Sequence, residues 1–430
     1  MTERVVKPGL VRGRIRAPSS KSYTHRALTV AYLHGGPFRI TRPLISNDTL
    51  ASRRGLQQLG ARFRLGRDHW TLVRLDKARD HSRRPVRIQC DESGTTLRFL
   101  VSVAARESRP IVFEGRGKLP NRPMTGLLAA LTSLGARIER PKGSRSLPLR
   151  VEGPIHGGRV RVDASTSSQF ISSLLLTLPT LRAPSVLELE GPIVSEPYIQ
   201  STLAVLREQS VRIGRKSKRR FGIPGSQRYS GRSFAVPGDA SSAAYLWSAA
   251  AITGGEVTID GIPSDFPQAD LEILRILRSA GAHVSRRGSS IRVAAGNSRP
   301  FRAELTDAPD LYPLVGVLAS ATPSLSRLRG APHIAFKESD RRAGTERLAR
   351  AMGATVRRVP GGLDIKGRFP PRPIHLTDLS DHRMVMSAAV AATAATASSR
   401  IGDSREVAKS FPDFWTALRA VGINSAEPRP

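Results

Sequence analysis

Polar and apolar positions repeat along this chain in long blocks. Alternation from Val5 to Ala17 predicts a strand, and the run that turns apolar behind Lys21-Ser22-Tyr23-Thr24-His25-Arg26 predicts a helix over 21–33. Pro18, Ser19 and Ser20 stand just before it. A Ser in that place caps a helix, because the first amides have no partner inside it and a hydroxyl can accept from one of them. A second strand is expected over 35–40. Asn47-Asp48-Thr49 should then cap an amphipathic helix that stops at Gly60, followed by short strands around Phe63 and Trp70. From Val86 the pattern starts again.

Polar caps followed by small-residue apolar runs recur every ~70–75 residues, the sign of an internal repeat. They are Asp91-Glu92-Ser93-Gly94, Ser165-Thr166-Ser167-Ser168-Gln169, Gly238-Asp239-Ala240-Ser241-Ser242, Thr306-Asp307-Ala308-Pro309-Asp310 and Ser380-Asp381-His382-Arg383. A second series interleaves with them: Leu59-Gly60-Ala61, Leu134-Gly135-Ala136, Ala280-Gly281-Ala282, Met352-Gly353-Ala354 and Val421-Gly422. Each ends an amphipathic run, as Gly does just beyond a helix. A degenerate member falls near Gln209-Ser210. The chain therefore reads as six copies of one unit with two helices each, split three and three, in the α/β class.

Length agrees with two or three domains with large cores. The polar, basic, Gly-rich stretch from Gly214 to Ser233 is the best boundary. A single Cys, Cys90, excludes a disulfide scaffold and reads as a quiet core thiol. The charged start has no apolar signal core, and no run approaches the ~18 apolar residues of a membrane helix. A soluble cytoplasmic protein is expected. The formal charge of +33 points to anionic partners, but Arg is spread over the whole chain. The one true cluster, Arg215-Lys216-Ser217-Lys218-Arg219-Arg220, reads as a solvated hairpin or loop, with incidental polyanion binding as the other reading. Aromatic residues are too sparse for a single-strand platform.

Some residues suggest chemistry. Lys21 and Arg26 at a helix N-terminus would build an anion site, because that end is partly positive; an ordinary capped surface helix is the alternative. Asp310 after Pro309 could be only a cap, Lys337-Glu338-x2-Arg341 a salt-bridged helix face, and His382 a cap or core histidine.

The motifs, in order, resemble those of the 5-enolpyruvylshikimate-3-phosphate synthase family. They are Pro18-Ser-Ser-Lys21-Ser22-x3-Arg26, Ser93-Gly94-Thr95-Thr96-Leu97-Arg98, Arg122-Pro123, Ser167-Ser168-Gln169-Phe170, Glu196-Pro197-Tyr198-Ile199, Gly238-Asp239-Ala240-Ser241-Ser242, Pro309-Asp310, Lys337-Glu338-Ser339-Asp340-Arg341, Asp381-His382-Arg383-Met384 and Lys409-Ser410-Phe411-Pro412-Asp413. They span nearly the whole chain. The resemblance implies two similar domains, each of three βαβαββ units with helices buried and sheets outside, an inside-out α/β barrel. It places 1–18 with 234–430 in domain I and 19–233 in domain II, with the active site in the cleft between them.

The resemblance also implies transfer of the enolpyruvyl group of phosphoenolpyruvate to the 5-hydroxyl of shikimate 3-phosphate, with release of phosphate and with neither metal nor cofactor. Ser22, Arg26, Ser167, Ser168, Gln169, Ser195, Tyr198, Asp310 and Lys337 would hold shikimate 3-phosphate, with Lys21 beside them. Lys21, Gly94, Arg122, Gln169, Arg341, Arg383 and Lys409 would hold phosphoenolpyruvate, and glyphosate would compete beside Gly94. Lys21, Asp310, Glu338 and His382 would be catalytic. Partners would be the two small molecules, with no membrane, no specific nucleic acid, and a monomer expected. Glu92, His333 and Ala335 depart from the common pattern, which has Asn, Asn and Arg there. The sister enzyme acting on UDP-N-acetylglucosamine is the alternative, but its loop Cys is missing from Lys118-Leu119-Pro120-Asn121. A basic nucleic-acid-binding protein on the same scaffold is the alternative from another class; the carboxylates Asp310 and Glu338 argue against it.

Overall fold

A computed structural model describes residues 2–76, 85–140, 142 and 146–427. The chain forms two compact units, Met1–Pro18 with Gly238–Ser264 and Gln268–Pro430, and Ser19–Pro237 with Asp265–Pro267. Among the described residues each holds three four-stranded sheets, six in all. The sheets share one plan, seen in Val86–Gln89, Ile111–Glu114, Arg137–Glu139 and Leu149–Glu152. The first two strands pair in parallel, and an antiparallel hairpin pairs with the second; in one sheet two strands from opposite ends of the sequence, Arg4–Val6 and Ser425–Ala426, take the place of the hairpin. The alternating burial of strands such as Ser185–Glu190 shows one face on helices and one toward solvent.

Two kinds of helix fill each repeat. Lys21–His34, Gly94–Ala104, Ser168–Thr177, Ala240–Ile252, Tyr312–Ser320 and His382–Thr393 are buried over most of their length. Asn47–Gln58, Thr125–Ser133, Glu196–Glu208, Glu272–Ser279, Arg341–Ala351 and Phe414–Ala420 bury a narrower stripe. Small residues let backbones meet inside the units: a Cβ on Gly55 would lie 2.5 Å from Leu100 Cδ1. Each Gly of the second series has positive φ where its helix ends, and at the degenerate position Ser210 takes the same left-handed conformation, φ 59°.

Strand exchange explains the discontinuous unit. Arg12–Arg16, just before the first helix, pairs in parallel with Glu256–Asp260. Ser233–Ala235, just before Ala240–Ile252, pairs in parallel with Phe38–Thr41. Each strand joins the sheet of the other repeat, so the chain changes unit at Pro18/Ser19 and at Pro237/Gly238, slightly beyond the basic stretch.

Three local expectations need correction. Val5 to Ala17 is not one strand: Arg4–Val6 and Arg12–Arg16 lie in different sheets, because Pro8 and Gly9 interrupt the alternation. The amphipathic helix starts at Asn47, and its cap is Ser46, in a reciprocal bond with Thr49. Asp310 caps nothing: it sits in a 3-10 turn, Pro309–Leu311, ahead of the helix Tyr312–Ser320. The basic cluster is a hairpin, Gly214–Ser217 with Arg220–Ile223, partly neutralised by Arg215 on Glu196 at 2.8 Å and Arg220 on Glu188 at 3.5 Å. Among the described residues no helix is long and apolar enough to cross a membrane.

Candidate active site

In the unit containing residues 19–237, polar side chains tie helix N-termini to one another. Lys21, first residue of its helix, places Nζ 3.0 Å from Asp48 Oδ2 at the start of Asn47–Gln58. A buried chain of short contacts runs from His25 Nδ1 to Ser52 Oγ (2.8 Å), on to Thr96 Oγ1 (2.8 Å) and then to Ser93 Oγ (2.8 Å). Burial pushes the His25 imidazole down to about 3, so it is neutral at ordinary pH. Ser93 is the cap of Gly94–Ala104, so the network fixes where Gly94 sits relative to Lys21.

Arg26 is buried and gives its donors to its own unit: Nε to Thr202 Oγ1 (2.9 Å), Nη1 to the Ser22 carbonyl (3.0 Å) and Nη2 to the Tyr198 carbonyl (2.8 Å). Burial lowers it to about 10, which leaves it charged at neutral pH. Ser195 stands in the left-handed region (φ 56°) before Glu196–Glu208. Ser167 caps Ser168–Thr177 by accepting from the Gln169 amide. The Gln169 side chain receives Arg98 Nη1 on Oε1 (2.6 Å) and donates from Nε2 to Thr95 Oγ1 (2.9 Å). A Cβ on Gly94 would lie 2.7 Å from Arg122 Nη1 and 3.0 Å from Arg98 Nη1. Two guanidinium groups thus rest on the bare backbone at a helix N-terminus, a ready arrangement for an anion. The Glu92 carboxylate lies against Gly117.

In the other unit, Arg341 is the hub. Its side chain is 1% exposed and touches three carboxylates: Asp310 Oδ1 from Nη1 (2.7 Å), Glu338 Oε2 from Nη2 (2.7 Å) and Asp381 Oδ2 from Nε (2.9 Å). Burial works against its charge, but Asp381, Glu338 and Asp310 outweigh it and raise its pKa. Arg383 Nη2 reaches Asp310 Oδ2 at 2.9 Å, Lys337 Nζ lies 3.8 Å from Asp310 Oδ1, and Arg383 Nη1 donates to Ser241 Oγ. Burial alone would raise the Asp310 carboxyl; Arg383, Lys337 and Arg341 together hold it well below the usual carboxylate range. Asp381 caps His382–Thr393 through the Arg383 amide (2.9 Å) and accepts from Ser339 Oγ (2.8 Å). His382 is buried, its Nδ1 3.5 Å from Asp381 Oδ1. Lys409 is buried in the 3-10 turn Ser404–Lys409, which packs on that helix.

Lys337, Glu338, Arg341, Asp310 and Arg383 are therefore brought together, and so are Lys21, Gly94, Arg122 and Gln169 with their neighbours. The Lys337–Arg341 segment is not a solvated helix face, because Arg341 is enclosed. Sequence reasoning left out Asp48, Arg98 and Asp381, the partners that orient Lys21, Gln169 and Arg341. Arg98 and Asp381 were visible inside quoted motifs, but nothing local showed which side chains they would meet. Among the described residues no group of three or more His, Cys, Asp or Glu is placed to hold a metal ion.

Six α/β repeats in two units, with cations gathered at helix N-termini and carboxylates held among them, make an arrangement suited to anionic ligands. The model of the EPSP synthase (3-phosphoshikimate 1-carboxyvinyltransferase) family matches residues 5–418. The 3-phosphoshikimate 1-carboxyvinyltransferase of Methanocorpusculum labreanum is 34% identical over 425 residues, 98% of this chain and 99% of that protein. Its counterpart in Thermococcus kodakarensis is 38% identical over 411 residues, 95% and 97%. A solved EPSP synthase from Acinetobacter baumannii has the same fold, with a TM-score of 0.81 over 99% of this chain and all of that one at 22% identity. The chain belongs to the EPSP synthase family and is a transferase.

Proposed function

We propose that the chain moves the enolpyruvyl group of phosphoenolpyruvate onto the 5-hydroxyl of shikimate 3-phosphate and releases phosphate. The observation that carries the reading is the Asp310–Arg341–Glu338 arrangement beside Lys337 and Arg383. Carboxylates repel anions, so a pure anion binder gains nothing from two of them among its cations; a proton-transfer enzyme does.

Asp310, kept ionised by its cations, takes the 5-hydroxyl proton as that oxygen attacks C2 of phosphoenolpyruvate. Glu338 or Lys21 delivers a proton to the methylene carbon, which becomes a methyl group in a tetrahedral intermediate. The methyl then returns a proton, the bond from C2 to the phosphate oxygen breaks, and Lys21 supplies a proton to the departing oxygen. Each acid–base step is worth ~10²–10⁴-fold in rate. Arg341 and Arg383 offer planar two-point contacts to the phosphoenolpyruvate carboxylate. Lys21, Arg122 and Lys409 offer charge to its phosphate, with Gly94 leaving room and Gln169 oriented by Arg98. Ser22, Ser167, Ser168, Gln169, Ser195, Tyr198 and Lys337 bind shikimate 3-phosphate, and Arg26 adds charge while fixing the carbonyls of Ser22 and Tyr198. His382 supports the Asp381 cap next to Arg383. Both substrates are small charged solutes, which suits a monomer acting in the cytoplasm.

The test is phosphate release from phosphoenolpyruvate, in chelator, with shikimate 3-phosphate or with UDP-N-acetylglucosamine. Turnover only with shikimate 3-phosphate is expected. Turnover only with the UDP sugar, or abolished by chelator, would overturn the reading.

A further inference from the structure

Asp270 is a buried carboxyl that the mechanism above does not use. It lies in the 3-10 turn Ala269–Leu271 and is 2% exposed. The turn is pinned to the start of the helix Ala240–Ile252 by Gln268, whose Oε1 accepts from the Ala240 amide (2.8 Å) and whose Nε2 donates to the Gly238 carbonyl (2.8 Å). This brings Asp270 to Ser241, the residue that receives Arg383 Nη1. Its Oδ1 has no hydrogen-bond partner among the described residues. A buried carboxyl left this incompletely paired is costly unless it serves a charge nearby.

Arg383 is that charge. One guanidinium nitrogen holds Asp310 and the other holds Ser241, on the helix start against which the turn carrying Asp270 is docked. In the proposed reaction Asp310 must turn to the 5-hydroxyl, which loosens one of the contacts that hold Arg383. The geometry points to Asp270 as a positioning residue that keeps Arg383 docked on Ser241, oriented toward the phosphoenolpyruvate carboxylate, while Asp310 does its chemistry. The inference rests on the proposed function for its substrate but not for the contact itself.

The ionised form does this work, and its environment makes it titrate late. Burial, together with Asp310 and Asp239, raises the carboxyl to about 6, against the opposing pull of Arg383 and the Ser241 hydroxyl. Below that pH Asp270 is protonated and its attraction for Arg383 is gone.

The experiment compares wild type with Asp270→Asn, titrating phosphoenolpyruvate at saturating shikimate 3-phosphate across pH 5–8. At neutral pH the variant should raise KM for phosphoenolpyruvate at least about fivefold while kcat changes less than about threefold. The wild-type KM should rise toward that of the variant as pH falls through about 6. The substrate phosphate titrates in the same range, with a second pKa of ≈ 6, so the readout is the difference between the two curves. A merely structural role would leave that difference independent of pH. Equal KM at neutral pH, or parallel curves, would overturn the inference. Should the variant fold poorly, Ser241→Ala breaks the same link and should give the same KM effect; no KM effect there would also overturn it.

Thermal melting keeps this apart from failure of the assigned reaction. The folded pKa lies above the ordinary value of 3.8, so ionisation costs stability in the fold. The wild type should lose Tm relative to Asp270→Asn as pH rises from about 4 to about 6. That trend with no turnover by the wild type would leave the Asp270 placement standing and remove the reaction; its absence would remove the placement.

Discussion

Gly94 shows how much a single Cβ decides. Its missing side chain is the space into which the guanidinium groups of Arg122 and Arg98 fit, with contact distances of 2.7 and 3.0 Å to a hypothetical methyl. Gly94→Ala should therefore act first on the protein's own cations and only then on the ligand. We expect KM for phosphoenolpyruvate to rise by ~5-fold or more, kcat to change less, and glyphosate to compete more weakly. Steady-state kinetics with and without glyphosate checks this; unchanged KM and inhibition would mean that Arg122 yields freely or lies away from the ligand. The residues themselves were readable in the sequence, Gly94 and Arg122 through the resemblance of their motifs to the family's, and Lys21 and Arg26 through the helix N-terminus that carries them. Their pairings were not. That Arg98 reaches Gln169 depends on helices brought together from successive repeats, and that Asp48 holds Lys21 depends on how the two helices of one repeat pack.

At the scale of elements, the repeat was readable because caps and helix-ending glycines fall at a steady interval. Cap chemistry is local, and Ser93, Ser167, Asp239 and Asp381 cap where the pattern puts them. Strand partners were not readable, because Arg12–Arg16 and Ser233–Ala235 join sheets built by distant segments. Helix contacts inside the units depend on small residues, and Gly316 is the sharpest case: an added Cβ would lie 2.2 Å from Thr345 Cγ2 on the neighbouring helix Arg341–Ala351. Gly316→Ala should destabilise by ~1–3 kcal/mol through overpacking. Gly158, with nothing within 4 Å of a new Cβ and φ outside the left-handed region, is the control. Gly158→Ala should stay within ~0.5 kcal/mol of wild type. Denaturant unfolding measures both, and equal midpoints would show that the two helices can separate at little cost.

At the scale of the whole molecule, the formal charge of +33 comes from arginines spread over the whole chain, some of them on outward strand faces, such as Arg12, Arg14 and Arg16 in one sheet. Many are balanced in part by acids, as Arg14 by Asp260 and Arg292 by Glu256. That charge draws anions toward the protein without selecting among them. In the proposed function, selection and chemistry lie with the few buried cations and the acids between them. The central claim is that Asp310 and Glu338 move protons, and it is tested most directly by measuring binding and turnover of Asp310→Asn and Glu338→Gln side by side. Calorimetry with shikimate 3-phosphate should give affinities within about tenfold of wild type, while phosphate release should fall in kcat by at least ~10². Near wild-type turnover in both variants would contradict the account. Joint loss of binding and rate would contradict it equally, since it would make the two acids partners of Arg341 and nothing more.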